Sequence, residues 1–319
     1  MLSTLGKNLR SAVHKVLPAK RPSYRLFDIT LRQRLDISPS LTRFVFTGPQ
    51  VQHMQTLAPD QRVKLLFPGA DGQPPQLPLE DNWHQTLRNL DAAGKPPMRT
   101  YTIRALRRER AEVDVEFVLH GETGPASRWA THARPGDRLQ MVAPYADYPG
   151  DPGGYEWQPP AGIRHVLLIG DETALPAIAG ILEQLAGQPQ PPRVEAFIEV
   201  PQAGDRLQIA QPANARINWL VCDEQQLEQG EGMRKAALEL ATLPASAARI
   251  KAPQKIHEVD IDTQVLWDLA KPSDSAFYAW VAGESAAVMA IRRHLVGELG
   301  LDRRALTFMG YWRLGRALD

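Results

Sequence analysis

The sequence predicts a two-domain β + α/β protein, an antiparallel six-stranded closed barrel followed by a parallel-sheet α/β domain. Three observations carry this expectation. Between Tyr24 and Tyr145, six short segments rich in β-branched and aromatic residues follow one another without a long helical period. From His165 onward, short apolar runs alternate with helical stretches, the rhythm of parallel strands covered on both faces. Between these regions, residues 149–160 are rich in glycine and proline and read as a linker. The expected divisions are a basic segment at 1–23, a barrel domain at 24–148, the linker at 149–160 and an α/β domain at 161–319.

The barrel strands are expected at 25–31, 41–47, 62–67, 99–105, 112–120 and 138–142. The clearest is 112–120: Val113, Val115 and Phe117 fall on one face, Glu112, Asp114 and Glu116 on the other. That alternation predicts a half-buried antiparallel strand whose acids face water. It forms a hairpin with 98–106 through the charged turn 107–110. Residues 68–97, with many Pro, Gly and polar residues, read as a long loop with a helical turn near 83–90. A short helix is expected from Ser127 to about Ala133.

In the second half, strands are expected at 165–170, 193–200, 217–222, 277–283 and 305–312, with helices at 175–185 and 285–299. The first strand runs into Gly170-Asp-Glu-Thr-Ala-Leu-Pro176 where a dinucleotide fold often carries Gly-x-Gly-x-x-Gly. Thr173 is expected to cap the next helix, Pro176 being tolerated in its first turn; Ser285 is expected to cap the helix after Gly283.

Composition bounds the function. A net charge of +1 gives no global signal for a polyanion, so no nucleic-acid partner is expected. The single cysteine, Cys222, leaves no internal disulfide or cysteine metal cluster, and its apolar run 217–222 predicts a buried small hydrophobe. The eight histidines are scattered, so no metal site is expected. No apolar run is long enough for a transmembrane segment, and residues 1–23 lack the pattern of a secretory signal; a cytoplasmic, reducing compartment is the expectation. Lys7, Arg10, Lys15, Lys20 and Arg21 precede the first acid, Asp28, among leucines and valines near helical spacing. A helix lying on the barrel or a frayed terminus is expected there, a membrane-surface or partner-binding helix being the alternative.

The chemistry centres on Met98-Arg-Thr-Tyr-Thr-Ile-Arg104. On a strand, Arg99 and Tyr101 share a face and Thr102 turns to the other. An arginine for phosphate, an aromatic ring for a flat group and an adjacent hydroxyl are what a flavin dinucleotide requires. Downstream, Val118-Leu-His120-Gly-x-x-Gly124-Pro-Ala126-Ser127-x-Trp129 leads a strand into a helix start, where exposed backbone amides suit an anion. The Arg-x-Tyr-Thr pattern resembles the flavin-binding motif of the ferredoxin-reductase superfamily. In the longer form Arg-x-Tyr-Thr-x-Arg it resembles the siderophore-interacting branch. The segments His120–Trp129, Gly170–Pro176, Trp280-Val-Ala-Gly283-Glu284-Ser285 and Gly310-Tyr-Trp-Arg-x-Gly315 are similar to that family in the same order. The segment 247–273, with Arg249, Lys251, Lys255 and His257 among prolines, departs from it and reads as an insertion or a loop that touches substrate.

The resemblance implies a flavin-dependent ferric-siderophore reductase: an FAD-binding β-barrel followed by an NAD(P)H-binding α/β domain. Iron(III) suits hard oxygen ligands better than iron(II) does, so one electron loosens the metal. Nicotinamide delivers an electron pair and a flavin can release it singly. Under the resemblance, Arg99 holds the flavin phosphate, Tyr101 packs along the ring and Thr102 donates a hydrogen bond near the flavin N5; these last two are the catalytic candidates. Arg104, Val118, His120, Gly124, Ala126, Ser127 and Trp129 complete the FAD set, Trp129 either stacking on adenine or belonging to the core. Asp171, Glu172, Thr173, Ala174, Gly283 and Glu284 are the nicotinamide-nucleotide set, and Glu199 is placed to meet the adenosine ribose. Lys64, Arg104, Arg128 and Arg249 are the candidates for an anionic ferric siderophore. Tyr311 and Trp312 lie either near the flavin or in the core. The donor is NADPH or NADH, with ferredoxin as a further partner. A general flavin reductase serving a protein partner and a non-enzymatic siderophore carrier are the alternatives.

Overall fold

The six expected barrel strands all form in the computed structural model, which describes residues 22–315 except 70, 81, 93, 120, 123, 246, 248–249, 251–258 and 262–263. They are β1 (Tyr24–Asp36), β2 (Leu41–Thr47), β3 (Arg62–Leu66), β4 (Met98–Arg107), β5 (Glu112–Val118) and β6 (Arg138–Pro144). In the order β1-β2-β5-β4-β3-β6 they close into a barrel, which leaves no edge to aggregate. β1 runs five residues past its expected end through a bulge between Leu31 and Gln33, which lets it pair with both β2 and β6. Inward side chains such as Phe27, Ile29, Phe44, Phe46, Leu65, Val113, Val115, Phe117 and Met141 fill the interior. The basic segment before Pro22 lies outside the described residues.

The acids of β5 are a correction to the expected exposed face. Glu112, Asp114 and Glu116 are buried beneath arginines from neighbouring strands. Arg107 binds both Glu112 and Asp114, Arg43 binds Glu116, and Arg32 also reaches Glu112. Cross-strand partners on an antiparallel sheet lie within reach of long side chains, so the arginine stems cover the carboxylates they neutralise. The loop 68–97 forms its expected helical turn. It carries α1 (Trp83–Asn89) and sets Leu77, Leu79, Trp83, Leu87 and Leu90 against Leu26, Leu66 and Val142 outside the barrel. A last helix of the domain, α2 (Pro125–His132), follows β5.

The second domain contains β7 (His165–Gly170), α3 (Leu175–Ala186), β8 (Arg193–Val200), β9 (Ala215–Val221), α4 (Cys222–Gln225), α5 (Glu231–Lys235), β10 (Trp267–Asp268), β11 (Phe277–Glu284), α6 (Ser285–Arg292) and β12 (Leu306–Trp312). The sheet order is β10-β12-β11-β7-β8-β9; all neighbours are parallel except the short edge strand β10, which is antiparallel to β12. β10 is absent from the sequence expectation because two residues carry no readable alternation. The expected helix 285–299 is α-helical only to Arg292 and continues to Glu298 as a wider π turn. Among the described residues no helix is long and apolar enough to cross a membrane.

The two domains meet along a seam of close contacts. Gly180 of α3 lies against the barrel's Pro59: a Cβ there would come 2.9 Å from the proline Cβ. Asp205, after β8, accepts from the hydroxyl of Ser38 (2.7 Å), the backbone N–H of Ser40 (2.8 Å) and the Ser40 hydroxyl (3.0 Å). Asp60, just before β3, accepts from the backbone N–H groups of Glu156 (2.8 Å) and Trp157 (2.9 Å) and from the indole of Trp280 (3.4 Å). One barrel carboxylate thus gathers the linker and β11.

Candidate functional site

The site begins at the β4–β5 hairpin. Tyr101 and Phe117 stack with ring centroids 4.1 Å apart, which places Arg99, two residues earlier, toward the end of β5 and the turn into α2. The Arg99 guanidinium donates to its neighbour's carbonyl, Met98 O, at 2.8 Å. Tyr101 is only partly buried, so Phe117 covers one ring face; burial still pushes its hydroxyl pKa up, against a smaller opposing pull from Arg99. Thr102 turns to the opposite side, buried, across from Arg62 of β3.

α2 starts where the glycine-proline turn ends. Gly124 is its N-cap and Pro125 its first residue, where the missing N–H costs nothing. Ser127 accepts from the Gly124 N–H and donates to the Gly124 carbonyl, both at 3.1 Å, pinning the first turn. Gly121 has φ +84, and no atom lies within 4 Å of the place a Cβ would take, so the turn is open on that side. Val118 ends β5, and Ala126 is buried against the barrel. His120 lies outside the described residues. Arg99 on β4 and the first-turn amides of α2 are donors of the kind a diphosphate takes, and Tyr101 keeps part of its ring exposed. The residues present therefore fit an FAD.

Other members of the expected sets stand elsewhere. Trp129 packs against Phe44, Phe46, Phe67 and Phe117, so its ring belongs to the barrel's aromatic cluster. Arg104 forms a bidentate pair with Glu183 of α3, at 2.9 and 2.5 Å, and lines an interdomain groove of about 380 Å³ with Leu57, Pro59 and Gly180. Lys64 on β3 and Arg128 on α2 are exposed on different elements, and Arg249 lies outside the described residues. Among the described residues, the expected siderophore cations Lys64, Arg104 and Arg128 therefore stand on three different elements, β3, β4 and α2.

The carboxyl ends of the parallel strands bring together the nucleotide set, in an unexpected form. Asp171 is fully buried and accepts four hydrogen bonds: Thr173 N–H (3.0 Å), Thr173 hydroxyl (2.5 Å), Glu284 N–H (2.8 Å) and the Trp312 indole (2.8 Å). Asp171, rather than Thr173, therefore organises the helix start, and Ala174 is buried there. Glu284, rather than Ser285, caps α6 through Ala287 N–H (2.9 Å) and binds Arg313 at 2.9 Å. Ser285 instead donates to the Trp312 carbonyl, while Gly283 takes φ +147 beside Asp171. Glu199, expected at a ribose, is buried and accepts from Gly230 N–H (2.5 Å) and Met233 N–H (2.9 Å) at the start of α5. Glu172 is buried next to Asp171 and accepts from Gln229 at 3.1 Å. Burial, then the charges of Asp171 and Glu199, push its carboxyl well above the usual range. Cys222, expected in the core, is half-buried at the start of α4; burial and the neighbouring acids push its thiol up to about 12. Tyr311 stacks on Trp267 (6.1 Å, 17°) with Trp280 edge-on at 6.3 Å.

Sequence reasoning missed Asp60. Its Oδ1 is buried and has no hydrogen-bond partner among the described residues, and burial pushes its carboxyl up to about 6. Its donors lie about a hundred or more residues away in sequence, so no local pattern marks it. Among the described residues no group of acids, histidines and cysteines is placed to hold a metal ion.

Comparison with known proteins gives a consistent family. The siderophore-interacting FAD-binding domain matches residues 30–148, and the siderophore-interacting protein domain matches residues 163–315. The chain is 27% identical over 293 residues to the ferric vibriobactin reductase ViuB of Vibrio cholerae, covering 92% of this chain and 90% of that one. It is 30% identical over 212 residues to an NADPH-dependent ferric-chelate reductase of Escherichia coli, covering 65% of this chain and 76% of the relative. The crystal structure of a siderophore utilization protein from T. fusca superposes with a TM-score of 0.69 at 28% identity, covering 93% of this chain and 96% of the other. With its closed barrel, its FAD-compatible hairpin and both domain matches in order, the chain belongs to the siderophore-interacting protein family.

Proposed function

We propose that this protein reduces the iron of ferric siderophores, passing electrons from a nicotinamide dinucleotide, NADPH or NADH, through FAD held by the barrel. The observation that supports this reading is the stacking of Tyr101 on Phe117, at the end of β5 that leads into the glycine-proline turn and α2. The relationship to a ferric vibriobactin reductase and a ferric-chelate reductase supports the substrate class.

Bound FAD supplies an acceptor for an electron pair that can be released singly. The chain's own residues bind and orient it. Arg99 neutralises the diphosphate from the strand, and the α2 amides with Ser127 do so from the helix start. Tyr101, backed by Phe117, offers one ring face as a flat wall whose tilt the barrel core fixes. Thr102 presents a hydroxyl on the opposite side of β4 as hydrogen-bond donor at the flavin N5. The iron keeps its siderophore oxygens until reduction weakens them, so the protein needs no ligands of its own. Exposed Lys64 and Arg128 attract an anionic chelate. With a single cysteine and no pairing to protect, a cytoplasmic setting belongs to the same reading. Ferredoxin is a further donor compatible with it.

The test is anaerobic. Purified protein loaded with FAD is reduced, then mixed with a panel of ferric siderophores, and flavin absorbance is followed with an iron(II) chelator present. Rapid reoxidation with iron(II) release supports the reading. A protein that ignores FAD, or a reduced flavin that every ferric chelate leaves untouched, overturns it.

A further inference from the structure

Open α/β domains hold a dinucleotide's diphosphate at the turn between the first parallel strand and its helix, where backbone amides converge. In this chain that turn already contains an anion. The Asp171 carboxylate takes the N–H and hydroxyl of Thr173, the N–H of Glu284 and the indole of Trp312, drawn from the β7–α3 turn, β11 and β12. Burial pushes the carboxyls of both Asp171 and Glu172 up, but the four donors on Asp171 oppose that push and favour the charge there rather than on Glu172. The next amides are closed as well: Ala174 N–H and Leu175 N–H both donate to the Asp171 carbonyl, and Pro176 has none to give. Ala174, Leu175 and Ala177 are buried, so the first turn of α3 is covered.

The neighbourhood rejects a second negative charge. Glu172 is itself driven toward its neutral form by burial and by Asp171. A carboxyl can shed its charge in that way; a diphosphate cannot. The nearby Arg313 is engaged by Glu284 at 2.9 Å.

We propose that Asp171 is a specificity-determining residue for the electron donor: its carboxylate permanently fills the anion position of the β7–α3 turn, so a nicotinamide dinucleotide binds with its diphosphate outside that turn. This rests on the reading of the protein as a flavin reductase and names how its donor is selected. Dinucleotide recognition then falls on the nicotinamide and ribose groups, and the bare diphosphate contributes little.

The experiment uses the full FAD-loaded chain, Asp171→Ala and Asp171→Asn. Alanine vacates the position and leaves its four donors in place; asparagine keeps it filled. Thermal unfolding is measured with and without inorganic phosphate, and ADP binding by calorimetry. For the wild type, phosphate leaves the unfolding temperature unchanged and ADP binds no tighter than about 1 mM. Asp171→Ala is expected to be destabilised, to regain several degrees in phosphate, and to bind ADP at least about tenfold more tightly. Asp171→Asn is expected to gain neither property. Micromolar ADP binding to the wild type overturns the proposal, even where the alanine variant fails to fold. An alanine variant that folds but is indifferent to phosphate overturns it too. Chemical reduction by dithionite followed by a ferric siderophore is run alongside. Failure of that arm counts against the reductase reading, and success there with micromolar ADP binding counts against the role of Asp171 alone.

Discussion

The guanidinium of Arg104, on the barrel strand that carries Tyr101 and Thr102, is gripped by both carboxylate oxygens of Glu183 on α3. Arg104 is 15% exposed and Glu183 38%, so the pair sits at the half-wet rim of the interdomain groove. Solvent screens such a pair, and its coupling is expected to be about 1 kcal/mol. A double-mutant cycle on Arg104→Met and Glu183→Gln, read by urea unfolding, measures it. The coupling should shrink in 1 M salt, where the Debye length falls to about 3 Å.

Asp60 makes stability depend on pH. Burial lifts its carboxyl from 3.8 to about 6. Between those values the folded chain retains a proton that the unfolded chain has lost, so this group's contribution is present below about 4 and is lost as pH rises through about 6. The loss is about 3 kcal/mol as an order of magnitude. Urea unfolding from pH 4 to 8 should show wild-type stability falling relative to Asp60→Asn across that window. Parallel curves for the two proteins would refute the assignment.

Gly283→Ala tests the close approach at the strand ends. The glycine has φ +147, and an added Cβ would meet Asp171 Oδ2 at 2.5 Å. Backbone strain and overpacking together are expected to cost at least about 2 kcal/mol. The Trp312 indole rests on the same carboxylate oxygen, so tryptophan fluorescence should shift with the loss of stability.

Flavin retention separates the roles on β4. Arg99→Ala is expected to weaken FAD affinity by about tenfold or more, because a charged partner of the diphosphate is lost. Tyr101→Ala should weaken it less, since the ring wall is lost but the phosphate contacts remain. Equilibrium dialysis of FAD against each variant reads the difference. Unchanged affinity in both would remove the cofactor from this hairpin.

The barrel was legible because its strands alternate over local windows, and the family because its motif residues are neighbours in sequence. The α/β domain was legible from the change of rhythm after the linker. What escaped depends on contacts between distant segments. The acids of β5 read as exposed until arginines from β2 and β4 covered them. Glu199 stands at a ribose position by sequence, yet the start of α5, some thirty residues on, claims both its oxygens. Asp60 and Asp205 look like ordinary loop acids; the linker and β11 supply the donors of Asp60, and the barrel's Ser38 and Ser40 supply most of those of Asp205. Arg104 stands within the motif, but its partner is seventy-nine residues away.

The absence of a side chain at Gly180 governs how freely the two halves of this protein can be exchanged. Pro59 fits against α3 only because nothing projects from that helix position. A barrel transplanted onto another relative's α/β half would seat properly only where the recipient helix is equally bare. The two halves are thereby matched at one point of steric contact, and a survey of chimaeras should find compatibility tracking this one pair of positions.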